Sequence, residues 1–213
     1  MIPKLHYISQ GPSPKEHLEN IQKACNAGAE LVQLRLKGVS EKKLLKFAHE
    51  AREITSHFQT RLIINDHYKI AKEVKADGVH LGKTDYTPTV ARKYLYTWQI
   101  IGGTANTMQD CEALLDKQVN YISLGPFRKT TTKTDLPPVL GLAGYTAITD
   151  ILKTGTPIIG VGGITTEDVM AILETGISGI AVSGAITRDF NSIKLFNELL
   201  KASSTEEQRY TFE

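Results

Sequence analysis

Cysteine is scarce in this chain, and where it falls excludes most of the chemistry it could bring. The sequence holds two, Cys25 and Cys111, both inside helical patterns and neither in a CxxC pair or a Cys/His cluster. They read as packing residues, not as a disulfide or a metal site. Long apolar runs are missing too. No segment approaches the roughly 18 apolar residues of a membrane span, and "MIPKLHYISQ" at the start lacks a run of signal-peptide length, so a cytoplasmic protein with no membrane partner is the expectation. Neither sign of charge dominates: 25 Lys and Arg against 23 Asp and Glu leave a net charge of +2. That is too little for a general nucleic-acid surface, and any cationic site must be local. No GxGxxG follows the first strand pattern, no HExxH or other ligand spacing joins the histidines, and no linker, low-complexity tract or charge run divides the chain. With 41% hydrophobic and 23% charged residues over 213 positions, a single globular domain spanning 1–213 is expected.

What the chain does have is alternation. Strand-like runs at 5–9, 31–37, 61–66, 78–82, 99–104, 121–126, 157–163 and 179–184 are separated by helical patterns at 14–28, 40–58, 67–76, 87–95, 107–118, 141–155, 165–176 and 191–203. Ser40 before Glu41, and Thr166 before Glu167 and Asp168, read as helix starts, while Gly28, Gly155 and Gly176 read as stops. Strict βα alternation implies parallel strands with right-handed crossovers, and eight such units in about 200 residues imply a closed α/β barrel, the (β/α)8 TIM barrel. The rival, an open doubly wound sheet, would have fewer units or a Gly-rich first turn. Residues 203–213, "SSTEEQRYTFE", are polar without periodicity and are expected either to fray or to form a contact in a homo-oligomer. The segment 127–141, "FRKTTTKTDLPPVLG", is long for a loop in a compact domain, and loops of that length are usually functional or mobile.

The segment "LVQLRLK" at 31–37 alternates Val32, Leu34 and Leu36 with Gln33, Arg35 and Lys37. In a barrel the first set packs on helices and the second points inward. Two cations there need anions or solvent at the mouth. Active sites of this architecture gather at the C-terminal strand ends, which here also carry Asn65, Asp66, His80, Asp85, Thr104, Asn106, Thr130, Thr132, Lys133, Gly162, Gly163, Ser183 and Gly184. Cations and hydroxyls suit phosphate oxygens, and two carboxylates suit a hard cation such as Mg²⁺ shared with substrate phosphates. Taken singly, each residue has a plainer role. "ND" is a common strand-ending turn, Asp85 could cap the helix that starts near Pro88, and His80 could be a packed core histidine. Their placement on one rim is what favours chemistry. The glycine-rich ends "GVGGIT" and "AVSGAI" imply a phosphate cradle after the seventh and eighth strands, and Arg35 and Lys37 beside the carboxylates imply a second anion site.

The ordered motifs "VQLRLK", "IINDH", "ADGVHLGKTD", "GPFRKTTTKTD", "GVGGI" and "VSGAI" resemble the thiamine phosphate synthase family over nearly the whole chain. The resemblance implies an enzyme, a transferase joining a hydroxymethylpyrimidine diphosphate to a thiazole phosphate, or its carboxylated form, with release of pyrophosphate. It implies Mg²⁺ on Asp66 and Asp85, and pyrophosphate on Arg35, Lys37, Asn65 and Lys133, with Arg35, Lys37 and Lys133 as the catalytic cations. Gln33 would contact the pyrimidine. Thr130 and Thr132, with backbone at Gly163 and Ser183, would hold the thiazole phosphate, and Thr104 and Gly184 complete the implied substrate contacts. It further implies early C–O cleavage to a pyrimidine-methyl cation, a route that needs charge stabilisation and exclusion of water and no side-chain nucleophile. The chain departs from the family pattern at Lys83, at Asn106, where an imidazole is lost, at Gly184, where a hydroxyl is lost, and at Arg128 and Lys129, whose charges either supplement the anion site or, the favoured reading, face solvent. The alternatives are a thiazole tautomerase on the same barrel and a noncatalytic barrel that binds a phosphometabolite. The first would lack the TxTK loop and carry a histidine after the sixth strand, and the second would need no carboxylate pair.

Overall fold

A computed structural model describes residues 1–129 and 138–201. Thr130, Thr132, Lys133 and the tail at 203–213 lie outside the described residues. Eight strands, β1 (Leu5–Ile8), β2 (Leu31–Leu34), β3 (Arg61–Asn65), β4 (Gly78–Leu81), β5 (Ile100–Ala105), β6 (Tyr121–Leu124), β7 (Ile158–Val161) and β8 (Gly179–Val182), alternate with helices. Each strand pairs in parallel with its neighbours, and β1 pairs with both β2 and β8, so the sheet closes into the barrel that strict alternation implied.

The helices are α1 (Pro14–Asn26), α2 (Glu41–His57), α3 (Tyr68–Glu73), α4 (Pro88–Tyr94), α5 (Met108–Asp116), α6 (Gly141–Leu152), α7 (Val169–Glu174), α8 (Gly184–Arg188) and α9 (Ser192–Leu199). Their starts follow local chemistry. Ser13, Ser40, Thr87 and Thr107 each accept a first-turn N–H on the side-chain oxygen, and Pro14 and Pro88 occupy positions where no N–H is needed. Thr87, not Asp85, caps α4, so the Asp85 carboxylate is left for other use. Two expected helix signals are displaced, and one short helix is additional. Thr165, one residue before the expected Thr166, caps a 3₁₀ turn over Thr166–Asp168, because Asp168 reaches back to its N–H and closes a capping box. Lys153, at φ 30°, ends α6 in place of Gly155. The short α8 went unread in the sequence because its residues were assigned to the eighth strand and the turn after it.

Strand parity sorts the core. Tyr7, Val32, Leu34, Leu62, Ile64, Val79, Leu81, Ile101, Ile122, Leu124, Ile180 and Val182 belong to the large cluster packed against the helices, whereas Tyr121, Ile159 and Ala181 form a separate small cluster with Ile8, Ile100 and Val161 inside the barrel. Much of the rest of the interior is polar: His6, Gln33, Asn65, His80 and Ser123 are all buried. Among the described residues no buried side-chain nitrogen or oxygen lacks a hydrogen-bond partner. Cys25 and Cys111 are buried free thiols, as their helical settings implied.

One close approach decides how the interior is filled. In register, His80 lies opposite Gly102 and Gly102 opposite Tyr121. A Cβ on Gly102 would fall on the Tyr121 ring. The glycine therefore leaves the space over which Tyr121 and His80 stack, with centroids 5.6 Å apart and planes at 23°. His6 meets the same Tyr121 ring edge-on at 5.0 Å, and its Nε2–H donates to Pro3 O (3.0 Å). Gly102→Ala should destabilise the protein by about 1–3 kcal/mol through overpacking, measured by denaturant unfolding.

His6 supplies a pH dependence. Burial lowers its pKa from 6.5 to about 4, outweighing the opposing effect of the Pro3 carbonyl. On acidification the unfolded chain therefore takes up this proton first, and stability falls between about pH 6.5 and 4; above that window His6 adds no slope. The loss is on the order of 3 kcal/mol once both forms are protonated. In His6→Leu the decline of unfolding free energy over that window should be shallower, and an unchanged slope would assign the proton uptake to other groups.

Candidate active site at the C-terminal rim of the barrel

The strand reading at 31–37 stops at Leu34, and all the others except the fifth also stop short of their expected ends. The remaining residues form the rim. At β2 the physical reason is a change of partner: the Arg35 N–H donates to Ser9 Oγ (3.0 Å) instead of to a strand carbonyl, and Ser9 Oγ is itself hydrogen-bonded to His17 Nδ1 (2.7 Å). Gln33 remains inside and is 5% exposed. Leu36 packs into the helix-facing core, Arg35 is half-buried, and Lys37 is exposed, so the inward-facing strand expected here is realised only as far as Gln33 and becomes a rim segment beyond it.

β3 ends on Asn65, which is buried and lies in register with His80 of β4. Asp66 follows in a left-handed conformation (φ 65°), with its N–H donating to His80 O (2.8 Å). Residues 65 and 66 are thus a strand-ending turn as well as a site element. The turn aims the Asp66 carboxylate at the Lys37 ammonium, with which it is paired, and at Asp85. Asp85 sits in the loop after β4, held there because its Oδ2 accepts the Gly82 N–H (2.6 Å).

The two carboxyls have opposite titration behaviour. Burial alone would raise Asp66, but hydrogen bonds from Asp85 and Lys37 and the Lys37 charge outweigh it and hold the group below the usual carboxylate range. Asp85 is pushed up, first by burial and then by its hydrogen bond to Asp66. Two carboxyls with opposed shifts therefore face one lysine. The donor set suits a hard oxygen-seeking ion that keeps open positions for phosphate or water. Among the described residues no group of three or more His, Cys, Asp or Glu side chains gathers as a metal cage.

Further round the rim, Thr104 on β5 is bonded through Oγ1 to His80 Nε2 (2.9 Å). Asn106, which departs from the family pattern, turns its amide away: Nδ2 donates to Gly125 O (2.6 Å), tying β5 to the loop after β6. Lys83 pairs with Asp110 Oδ2 (2.8 Å), joining the loop that carries Asp85 to the N-terminus of α5. Arg128 does not simply face solvent as expected. Its guanidinium pairs with Asp168 (2.5 Å) and lies over the Phe127 ring, while its backbone N–H donates to Gly162 O (3.0 Å). That pairing, with the Phe127 N–H donating to Val161 O (2.8 Å), fixes the start of the 127–141 loop beside β7. The two ends of the loop are also joined, Leu140 N–H to Pro126 O (2.9 Å) and Gly141 N–H to Phe127 O (3.1 Å).

Gly163 (φ 69°) follows β7 with the Arg128 side chain packed where its Cβ would be, so backbone and loop meet closely there. Ser183 precedes α8, with Oγ donating to Gln10 Oε1 (3.2 Å), and Gly184 begins the helix. The site residues within the described chain thus all lie at C-terminal strand ends. Tyr121 is an interior polar residue that the sequence reading passed over. The parity argument that turned Gln33 inward, applied to "YISL", would have found it.

Sequence similarity points to one family. Residues 5–186 match the family model described as Thiamine monophosphate synthase. The chain is 42% identical over 209 residues to the Thiamine-phosphate synthase of Flavobacterium johnsoniae, covering 95% of this chain and 99% of that one. It is 41% identical over 187 residues to the Thiamine-phosphate synthase of Bacteroides thetaiotaomicron, covering 86% and 90%. Among solved structures, the thiamine phosphate pyrophosphorylase from Pyrococcus furiosus shares the fold, with a TM-score of 0.79 at 24% identity over 93% of this chain and 95% of that one. A barrel with these motifs at its rim, matched by the family model over most of its length and by relatives at this identity from end to end, belongs to the thiamine monophosphate synthase family.

Proposed function

We propose that the chain joins 4-amino-5-hydroxymethyl-2-methylpyrimidine diphosphate to a thiazole phosphate, forming thiamine phosphate and pyrophosphate, with Mg²⁺ held by Asp66 and Asp85. Family membership makes it an enzyme, a transferase of thiamine phosphate synthesis acting on small molecules. The observation that carries the metal assignment is the convergence of the Asp66 and Asp85 carboxyls, one titrating low and the other high, with the Lys37 ammonium paired to Asp66. Two carboxylates with a single lysine against them are short of positive charge, and a dication makes good that deficit. When bound, the ion would neutralise charge developing on the departing pyrophosphate.

The chain's own residues do the rest in this reading. Arg35, fixed through its backbone by Ser9, and Lys37, beside Asp66, hold the diphosphate with Asn65. Their charges act more strongly on the transition state, where negative charge accumulates on the leaving oxygen, than on the ground state. Gln33, buried under the rim, contacts the pyrimidine, and Thr104 supplies a hydroxyl. Lys133, Thr130 and Thr132 take the roles that the family resemblance assigns them, Lys133 on the pyrophosphate and the threonines on the thiazole phosphate together with the backbone of Gly163, Ser183 and Gly184. The loop that carries them starts against Gly162 and Gly163, which supports placing the thiazole phosphate between β7, β8 and the loop. The C–O bond breaks first, and the thiazole nitrogen captures the resulting pyrimidine-methyl cation, so the site must exclude water.

A coupled pyrophosphate-release assay with both substrates tests this. Activity should vanish in EDTA and return with Mg²⁺. Asp66→Asn should raise the Mg²⁺ concentration for half-maximal rate by at least about tenfold. In the wild type that concentration should fall as pH rises through the elevated Asp85 pKa, because the proton and the ion compete for the same oxygens. Full activity in EDTA would refute the metal site. Lys133→Ala should lower kcat by at least about tenfold, the scale of one lost charge-stabilising contact, and unchanged turnover would remove Lys133 from the mechanism.

A further inference from the structure

The hydroxyl that anchors Arg35 is itself held by a histidine that no step above uses. Ser9 follows β1, and its backbone N–H donates to Gln33 O (2.9 Å), continuing the β1–β2 ladder. In a parallel ladder the next rung would run from the Arg35 N–H to the Ser9 carbonyl. The Arg35 N–H instead meets Ser9 Oγ at 3.0 Å, and Ser9 Oγ lies 2.7 Å from Nδ1 of His17 on α1. A Cβ on Gly11 would fall 3.1 Å from His17 N, so this glycine lets the loop after β1 run close against the start of α1. Ser9 is 3% exposed and His17 9%.

We propose that His17 is a positioning residue whose Nδ1 takes the Ser9 proton, which leaves the Ser9 oxygen to accept from the Arg35 N–H and sets Arg35 against the pyrimidine diphosphate. The inference rests on the reading that Arg35 holds that diphosphate. A backbone N–H can only donate, so Ser9 Oγ accepts from Arg35. Its own proton then needs an acceptor, and His17 Nδ1 is the one other partner of Ser9 Oγ among the described residues. With the imidazole proton on Nδ1, two N–H groups would face one hydroxyl, whose own proton would be buried without an acceptor. The ring therefore carries its proton on Nε2. Burial, opposed by the Gly11 backbone and joined by the Arg35 charge, lowers the His17 pKa below the ordinary histidine value, which keeps the ring neutral and Nδ1 bare.

What this bond decides is where Arg35 leaves the sheet. On the ladder, residue 35 would keep strand geometry and its side chain would follow Gln33 into the closed interior, where an unpaired cation is costly. Bonded to the side-chain oxygen, the backbone departs before that rung forms, and Arg35 stays half-buried at the rim. Ser9 must present its oxygen in one rotamer, and the bond to His17 holds that rotamer. Without it the hydroxyl is free to turn, and the Arg35 N–H can return to the Ser9 carbonyl. His17 thus acts on the diphosphate through two hydrogen bonds in series.

Steady-state kinetics of His17→Leu, His17→Asn, Arg35→Ala and the His17→Leu/Arg35→Ala double variant, with thermal unfolding of each, test the proposal. His17→Leu removes the acceptor, whereas His17→Asn keeps one, Oδ1, where Nδ1 stood. His17→Leu should raise KM for the pyrimidine diphosphate about tenfold, the scale of one hydrogen bond. KM for the thiazole phosphate should stay within about twofold, His17→Asn should restore most of the loss, and His17→Leu should have no further effect in the Arg35→Ala background. Equal rises in both KM values, no rescue by His17→Asn, or full multiplication in the double variant overturn the positioning role while leaving the Arg35 contact standing. If Arg35→Ala alone leaves the pyrimidine diphosphate KM unchanged, the contact itself fails and the inference with it. Independently of any variant, ¹⁵N resonances of the wild-type imidazole should place the His17 proton on Nε2, and a proton on Nδ1 overturns the assigned sense of the Ser9 bond.

Discussion

Closing a parallel sheet on itself turns one face of every strand into a space too narrow for bulk water, and each polar group placed there must be paired within the protein. That constraint governs this molecule more than the size of its apolar core does. His6, Gln33, Asn65, His80 and Ser123 occupy the interior, and the apolar cluster among them is small. Partners come from other strands: His80 on β4 is bonded to Thr104 on the adjacent β5 and to Tyr121 on β6, one strand further. Tyr121 is at once core and polar junction. Its ring fills the space that Gly102 leaves open and meets His6 and His80, while its hydroxyl is hydrogen-bonded to His80 Nδ1.

Above this layer the constraint relaxes toward solvent, and charge can collect. Asp66, Asp85 and Lys37 meet because two turns, one left-handed at Asp66 and one closed by the Gly82 N–H, direct two carboxyls toward the segment after β2. Each turn is a local backbone feature, and the chemistry follows from their convergence. Two acids facing one lysine oppose each other's ionisation, which lifts Asp85 while Lys37 holds Asp66 low. A leaving group that departs with negative charge, and a partner carbon left cationic, call for such a rim: fixed cations, exchangeable positive charge and restricted access for water.

Much of the fold could be read from one dimension. Among the described residues, alternation of two hydrophobic periods marked all eight strands and eight of the nine helices, and motif order pointed to the family. The errors cluster at element ends, where the controlling interaction is distant in sequence. "LVQLRLK" continues to alternate past Leu34, but Arg35 bonds the side chain of Ser9 and leaves the ladder. Gly155 looked like the stop of α6, yet Lys153 takes the left-handed turn first. Arg128 reads as a solvated charge until Asp168, on a separate turn, is seen to pair with it. Asn106 read as a lost site residue, and it instead secures Gly125.

The sequence by itself determined the two faces of each strand and which end of the barrel carries the chemistry, because a strand's period of two and the order of β and α segments are properties of the chain alone; where each strand stops, as at Leu34, it did not. Only the tertiary structure decided which of those side chains touch. Tyr121 meets His80 across Gly102, and Asp66 meets Asp85, through strand register and the course of two short turns. Register is set by closure of the whole sheet, and no single segment encodes it.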